Sequence, residues 1–112
     1  MSRSRFAVAP VEARTLDGIT FASKKEMMRY SELKLLQRAG VIHDLQVQPS
    51  FPVKIDGQHF CTYTPDFRYL NERGEVVVEE LKSSGTAKDA AYRLRRKAME
   101  LFYRMKVVET VR

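Results

Sequence analysis

What the sequence lacks excludes several kinds of site. Cys61 is the only cysteine among the 112 residues, so the chain cannot contain a disulfide framework. With His43 and His59 as the only histidines, it also lacks the ligand spacing of a zinc site. No apolar run is long enough to span a membrane, and the N-terminus lacks the apolar core of a signal peptide. We therefore expect a protein of the reducing cytoplasm, with room for one domain.

Positive charge, in contrast, is present in excess. The chain has 20 Lys and Arg residues against 14 Asp and Glu residues, which gives a net charge of +6. Such an excess favours a polyanionic partner, because Lys and Arg side chains bind phosphates and release counterions. An inert basic surface would have the same total charge, so the interpretation depends on where the basic residues lie.

The N-terminal part of the chain is expected to be an arm followed by a small hairpin. Residues 1–14 show no clear period and contain early arginines, so we predict a flexible basic arm. Residues 15–112 then form a single domain. An Asp-Gly pair between short apolar stretches predicts a hairpin over residues 15–21.

A capping box marks the start of the first helix. Ser23 has the character of an N-cap and Glu26 stands at the third helical position. The helix is expected to run to Ala39 and to end at Gly40. Its apolar residues at helical spacing are Met28, Leu35, Leu36 and Ala39.

The remaining elements alternate in a way that predicts an α/β (α+β) domain. Residues 45–55 form either an edge strand or two pieces broken at Pro49. The elements predicted after it are two strands, a helix and a last strand, over residues 60–70, 75–82, 87–104 and 106–111. The order is helix, three antiparallel strands, helix, strand, with the helices flanking a central mixed sheet.

The turn between the second and third strands predicts which acidic residues meet. Residues 72–74 suit a three-residue hairpin loop, with Gly74 in a left-handed conformation. Counting back from this loop places Asp66 opposite Glu80, with Lys82 on the same face. A four-residue loop would instead place Asp66 opposite Glu79, and the shared face would be lost.

Two carboxylates placed opposite each other repel unless a cation lies between them. Oxygen ligands suit a hard cation, so Mg²⁺, or Mn²⁺ as a substitute, is favoured over zinc. A metal there can bind a phosphate oxygen, and a nearby lysine can orient water or stabilise the transferring phosphoryl group. The competing interpretation is chance, because an acid followed two positions later by lysine is frequent in charged sequences.

These residues resemble the motif of the PD-(D/E)XK nuclease superfamily. Pro65 and Asp66 match its first acid, and residues 80–82 match its second acid and lysine. The predicted order of elements is also similar to that superfamily's restriction-endonuclease-like core. Residues 17–26, 45–49 and 92–94 resemble a small phage- and prophage-associated branch that includes Holliday-junction-resolvase-like enzymes.

The resemblance implies a function and a set of residues. Asp66 and Glu80 would be metal ligands and Lys82 the catalytic lysine, with Glu26 as an additional metal ligand. Glu26 could instead serve only the capping box. The implied activity is Mg²⁺-dependent endonuclease cleavage of branched or junction DNA in the cytoplasm of a phage host. Cutting a Holliday junction symmetrically would need a homodimer.

The second predicted helix is the expected DNA-binding element. Its apolar residues at helical spacing, taken as the core stripe, are Leu94, Ala98, Leu101 and Met105. Arg93 and Lys97 share a face near that stripe, with Tyr92 as support, whereas Arg95 and Arg96 are expected outward. The residues predicted to contact the DNA backbone are Lys24, Lys25, Tyr92, Arg93, Arg96 and Lys97. A DNA-binding module without catalysis is the alternative function.

Overall fold

A computed structural model describes residues 8–82 and 89–111, without the side chain of Val111. Two helices are present in these ranges, α1 (Lys24–Arg38) and α2 (Ala90–Tyr103). The strands are β1 (Thr15–Leu16), β2 (Ile19–Thr20), β3 (His43–Val47), β4 (Phe51–Ile55), β5 (Gln58–Tyr63), β6 (Phe67–Leu70), β7 (Val76–Lys82) and β8 (Val107–Val111). A 3₁₀ helix, Val11–Arg14, precedes β1.

The central sheet has four strands in the order β3-β6-β7-β8. Its first three strands are antiparallel, and β8 runs parallel to β7 because α2 provides the crossover between them. Each face of the sheet carries its own apolar cluster, one built with α1 around Leu33 and Phe67, the other with α2 around Val78 and Met99. The predicted α+β domain with a mixed central sheet is confirmed.

Prolines determine where the predicted strands break. Of the two alternatives for residues 45–55, the division is right, because β3 ends at Val47 and β4 begins at Phe51. The single strand predicted over residues 60–70 is wrong. It is divided into β5 and β6 around the buried Pro65, which has no N–H to donate to a sheet. Strands β4 and β5 form a separate hairpin outside the central sheet.

The helix boundaries follow local signals. The Ser23 hydroxyl accepts a hydrogen bond from the Glu26 amide at 3.2 Å, and Gly40 has a φ of +79° just beyond α1. The predicted cap and stop are therefore confirmed. Helix α2 begins at Ala90, where the Asp89 carboxylate accepts hydrogen bonds from the amides of Ala91 and Tyr92. The predicted start at residue 87 and the preceding loop lie outside the described residues.

The sides of the helices that pack on the sheet differ from those predicted. On α1, Met28 and Leu35 are exposed, while Tyr30 and Leu33 are buried. On α2, Leu94 and Leu101 are exposed; the buried residues are Tyr92 and Met99. Both predicted core stripes are thus only partly right, because Leu36 on α1 and Ala98 on α2 do pack against the core, as does Met105 beyond α2. Each helix turns a tyrosine-containing face to the sheet, and this rotation leaves the other predicted leucines in solvent.

The beginning of the domain is tied to the β1–β2 hairpin, whose Asp17-Gly18 turn is as predicted. Arg14 of the 3₁₀ helix donates hydrogen bonds to the carbonyl oxygens of Ala9 and Phe21. Residues 11–14, predicted as part of a mobile arm, are thus ordered, and residues 1–7 lie outside the described part. No helix within the described ranges is long and apolar enough to cross a membrane.

Candidate active site

The β6–β7 turn sets the register of the site. The Asn71 amide donates to the Glu75 carbonyl at 2.9 Å, and Gly74 has a φ of +76°, as a three-residue loop requires. Arg68 pairs with Val78, and the ladder ends where Phe67 pairs with Glu79. This is the predicted register, and the alternative from a four-residue loop does not occur.

Asp66 lies one residue before β6, where it can turn its carboxylate toward β7. Its Oδ2 accepts a hydrogen bond from the Leu81 amide at 2.7 Å. The carboxylate also lies close enough to Glu80 for its charge to raise the pKa of that side chain. The prediction that Asp66 and Glu80 meet is therefore confirmed, although through side chains at the end of the ladder and not as a regular strand pair.

Glu80 is a buried acid in a polar pocket. Its residue is 5% exposed, and its Oε1 accepts a hydrogen bond from the Tyr63 hydroxyl at 2.7 Å. Burial, followed by the nearby charge of Asp66, raises the pKa of Glu80 to about 8. Its neighbour Glu79 points to the opposite face, where Arg29 binds both of its carboxylate oxygens at 2.5 and 3.0 Å. Glu79 therefore lies outside the site, on the other face of β7.

Glu26 reaches the same site from the first turn of α1. Burial, and then the charge of Asp66, raises its pKa to about 7, whereas Lys82 and a backbone hydrogen bond at Ala22 lower it. The side chain is thus close enough for its pKa to respond to two of the three predicted catalytic residues, Asp66 and Lys82. It lies one helical turn before Tyr30, on the face that α1 turns to the sheet.

Lys82 completes the predicted set. Its Nζ lies 3.9 Å from Oε2 of Glu80 and 3.7 Å from the centre of the Tyr92 ring. Its side chain is 17% exposed, so the ammonium group is largely withdrawn from water. The ion pair and the ring together hold the positive charge beside the carboxylates.

The donor set fits a hard divalent cation. Two acidic side chains, Asp66 and Glu80, lie together, and their mutual repulsion is one of the causes that raise the pKa of Glu80. A cation between them would relieve that repulsion. Among residues 8–82 and 89–111, no three His, Cys, Asp or Glu side chains are grouped in a metal-binding arrangement. Mg²⁺ is commonly bound by one or two carboxylates, with water and substrate phosphate as its other ligands.

The cleft in front of these residues identifies which part of α2 faces the site. It has a volume of about 340 Å³, and its lining residues are Thr62, Tyr63, Thr64, Glu80, Lys82, Asp89, Tyr92 and Arg95. Arg95, predicted to lie outward, therefore faces the cleft. Arg93 and Lys97, predicted to face the phosphate, are exposed and do not line it.

The remaining predicted DNA contacts have different positions. Arg96 forms an ion pair with Glu109 of β8. Tyr92 is buried and donates a hydrogen bond to the same carboxylate. Lys24 and Lys25 are exposed at the start of α1, beside Glu26. Helix α2 thus presents Tyr92, Arg95 and Arg96 on one side, because residues three and four apart share a helix face.

Two residues of the site escaped prediction from the sequence. Neither Tyr63, which donates to Glu80, nor Glu109, which binds Tyr92, was singled out. Strand β8 pairs in parallel with β7 and places Glu109 beside Glu80. No short turn determines a parallel register, so the sequence offered no signal for that neighbour.

Comparison with protein-family models assigns the chain to a family. The family described as "Protein of unknown function (DUF1064)" matches residues 10–112. The search of curated proteins gave no match, and the search of solved structures also gave none. Since the matched region covers nearly the whole chain, this protein belongs to the DUF1064 family.

Proposed function

We propose that this protein is a Mg²⁺-dependent endonuclease that hydrolyses phosphodiester bonds in DNA. The observation that carries the proposal is the convergence of Asp66, Glu80 and Lys82 at one end of the sheet, where Glu80 and Lys82 line a cleft together with Arg95. Strongly shifted pKa values cluster at functional sites, and burial together with the charge of Asp66 raises the pKa of both Glu80 and Glu26. The net charge of +6 agrees with a polyanionic substrate.

In this proposal each side chain has a chemical role. Asp66 and Glu80 hold the metal, with Glu26 as the third acidic side chain nearby. When bound, Mg²⁺ supplies Lewis-acid activation of water and of the phosphate. The Leu81 amide and the Tyr63 hydroxyl orient the two carboxylates, since each binds one of their oxygens. Lys82 places a positive charge where the phosphoryl group gains negative charge.

The substrate class in the proposal is branched or junction DNA, as in the processing of phage DNA in a bacterial cytoplasm. Backbone contacts from exposed basic residues would position such DNA without sequence readout. Comparison of cleavage rates on four-way junctions, linear duplex and single strands tests this part separately. Equal rates on all three would limit the proposal to a nuclease without structural selectivity.

The test of catalysis combines metal and mutation. Purified protein is incubated with each DNA in Mg²⁺, in Mn²⁺ and in chelator. We expect cleavage only with metal, and Asp66→Asn and Lys82→Ala each to lower kcat by about 100-fold or more while DNA binding persists.

Lys106→Ala is the matched control, because Lys106 is an exposed lysine outside the cleft, and its loss should leave cleavage unchanged. Metal-dependent cleavage by Lys82→Ala at the normal rate would show that the site is misplaced. DNA binding without cleavage of any substrate would favour the alternative, a DNA-binding module without catalysis.

A further inference from the structure

We infer that Tyr92 is a positioning residue for Lys82, which its ring holds beside Glu80, and not a DNA contact. The inference rests on the proposed function, in which Lys82 is the catalytic lysine. It concerns a different property, namely how a flexible lysine is kept in one place. A lysine side chain has four rotatable carbon bonds, so a free ammonium group would occupy many positions.

The geometry of the contact supports this role. The Lys82 Nζ lies 3.7 Å from the centre of the Tyr92 ring, well inside the distance at which an ammonium group is attracted to an aromatic face. Both groups are shielded from water, since the Tyr92 residue is 4% exposed and the Lys82 side chain 17%. Shielding strengthens the attraction, because less hydration of the ammonium group competes with it.

The ring itself is held from three sides. The Tyr92 hydroxyl donates to Oε2 of Glu109 at 2.8 Å, and Arg96 pairs with that same carboxylate. The Tyr63 ring packs against it, with ring centres 6.1 Å apart. A tyrosine side chain has one hydrogen-bonding group, and here Glu109 uses it. The side chain is therefore built into the protein and is poorly placed to contact a DNA phosphate.

An aromatic ring suits this position better than another carboxylate would. The ring attracts the ammonium group without adding a formal charge, so the positive charge of Lys82 stays available to a phosphate. The contact also leaves the three N–H donors of the ammonium group unconsumed by an acceptor. If a cation neutralises Glu80, the ion pair at 3.9 Å weakens and the ring still holds Lys82.

The test separates the ring from the hydroxyl. Tyr92→Phe keeps the ring, and Tyr92→Leu removes it. In metal-free protein, the NMR signals of the Lys82 ε-methylene protons should be shifted upfield by the ring in the wild type and in Tyr92→Phe, and should lose that shift in Tyr92→Leu.

In the cleavage assay, Tyr92→Leu should lower kcat by about tenfold with KM for DNA unchanged, because about 1.4 kcal/mol of barrier corresponds to tenfold in rate. Tyr92→Phe should retain most of kcat.

A second substitution covers the case in which Tyr92→Leu does not fold, since Tyr92 is part of an apolar cluster. At position 92, 3,4,5-trifluorophenylalanine has nearly the same ring shape as the phenylalanine of Tyr92→Phe. Its fluorine atoms withdraw electron density from the face of the ring. We expect a lower kcat than for Tyr92→Phe, together with altered Lys82 ε-methylene shifts.

Three outcomes would overturn the inference. The first is an equal kcat for the phenylalanine and fluorinated variants, and the second is an unshifted Lys82 ε-methylene signal in the wild type. The third is a rise in KM at constant kcat when the ring is removed, which is the result expected for a DNA contact. If Lys82→Ala cleaves DNA normally, it is the proposed function that fails. The NMR result for the ring contact stands apart from that outcome.

Discussion

Two neighbouring glutamates on β7 show how the direction of a side chain decides its chemistry. Glu79 is neutralised by two bonds from Arg29 and one from the Tyr69 hydroxyl. Glu80, on the other face, receives one bond from Tyr63 and has Lys82 at 3.9 Å. Asp66 adds a second acid on the Glu80 side. On the face that carries the cleft, two acids therefore share the nearby cation of Lys82.

This pair of acids predicts a pH dependence of stability in the metal-free protein. The pKa of Glu80 is about 8 in the folded state, above its ordinary value of 4.5, so between these values the folded state binds more protons than the unfolded state. The contribution of Glu80 to the free energy of unfolding is fully present below about pH 4.5 and is lost as the pH rises to about 8. Glu80→Gln should remove that loss, so its stability relative to the wild type should increase from pH 5 to pH 9.

Urea unfolding in chelator at several pH values measures this difference. Glu72→Gln serves as the control, because Glu72 is an exposed glutamate in the β6–β7 turn. Parallel stability curves for the wild type and Glu80→Gln would contradict the prediction.

At the scale of elements, the site depends on how α1 is fixed to the sheet. Arg29 crosses from α1 to the buried Glu79, whose residue is 2% exposed. Glu26 stands three residues earlier on the same helix, so the ion pair that anchors Arg29 also helps to keep Glu26 near Asp66. The two faces of β7 are coupled in this way, one anchoring α1 and the other carrying the cleft.

Loss of this anchor should be costly. Arg29→Ala leaves Glu79 buried without its cation, and we expect the free energy of unfolding to fall by about 3 kcal/mol. Arg38→Ala, at the exposed end of α1, should change it by less than about 0.5 kcal/mol. Urea unfolding measures both variants at one pH. A similar small change for Arg29→Ala would mean that packing alone holds α1 in place.

At the scale of the whole molecule, the distribution of positive charge decides where a polyanion can bind. Arg95 and Arg93 are two residues apart on α2, yet only Arg95 lines the cleft. The rotation of α2 produces this difference, since Tyr92 and Met99 face the sheet and carry Arg95 to the same side. The exposed Lys24 and Lys25 at the start of α1 add positive charge near Glu26.

A pair of variants with the same net charge tests this arrangement. Arg95→Ala should weaken DNA binding by roughly five- to tenfold and reduce the slope of log affinity against log salt by about one, as for the loss of one phosphate contact. Arg93→Ala removes an identical charge and should have a smaller effect on both quantities. Binding titrations at several salt concentrations, in chelator, provide the measurement. A larger effect for Arg93→Ala would instead support the prediction from the sequence, in which the Arg93 side of α2 contacts DNA.

Much of the fold and part of the site were predictable because they depend on short-range chemistry. The capping box at Ser23 starts α1, and the three-residue loop ending at Gly74 sets the β6–β7 register. That register brings Asp66, Glu80 and Lys82 together across a single hairpin. A turn acts locally, so its residues are sufficient to indicate the pairing it produces.

Other features were decided only by the tertiary structure. The aliphatic stripes placed Leu35 and Leu94 in the core, but both are exposed, because tyrosines with hydrogen-bonding partners occupy the centre of each buried side. The rotation of α2, the parallel pairing that brings Glu109 to the site, and the reach of Arg29 to Glu79 all join residues that are distant along the chain. The sequence by itself determined the acidic pair and its lysine. Packing of the helices on the sheet decided which residues surround them, because burial and pairing partners are properties of the assembled fold.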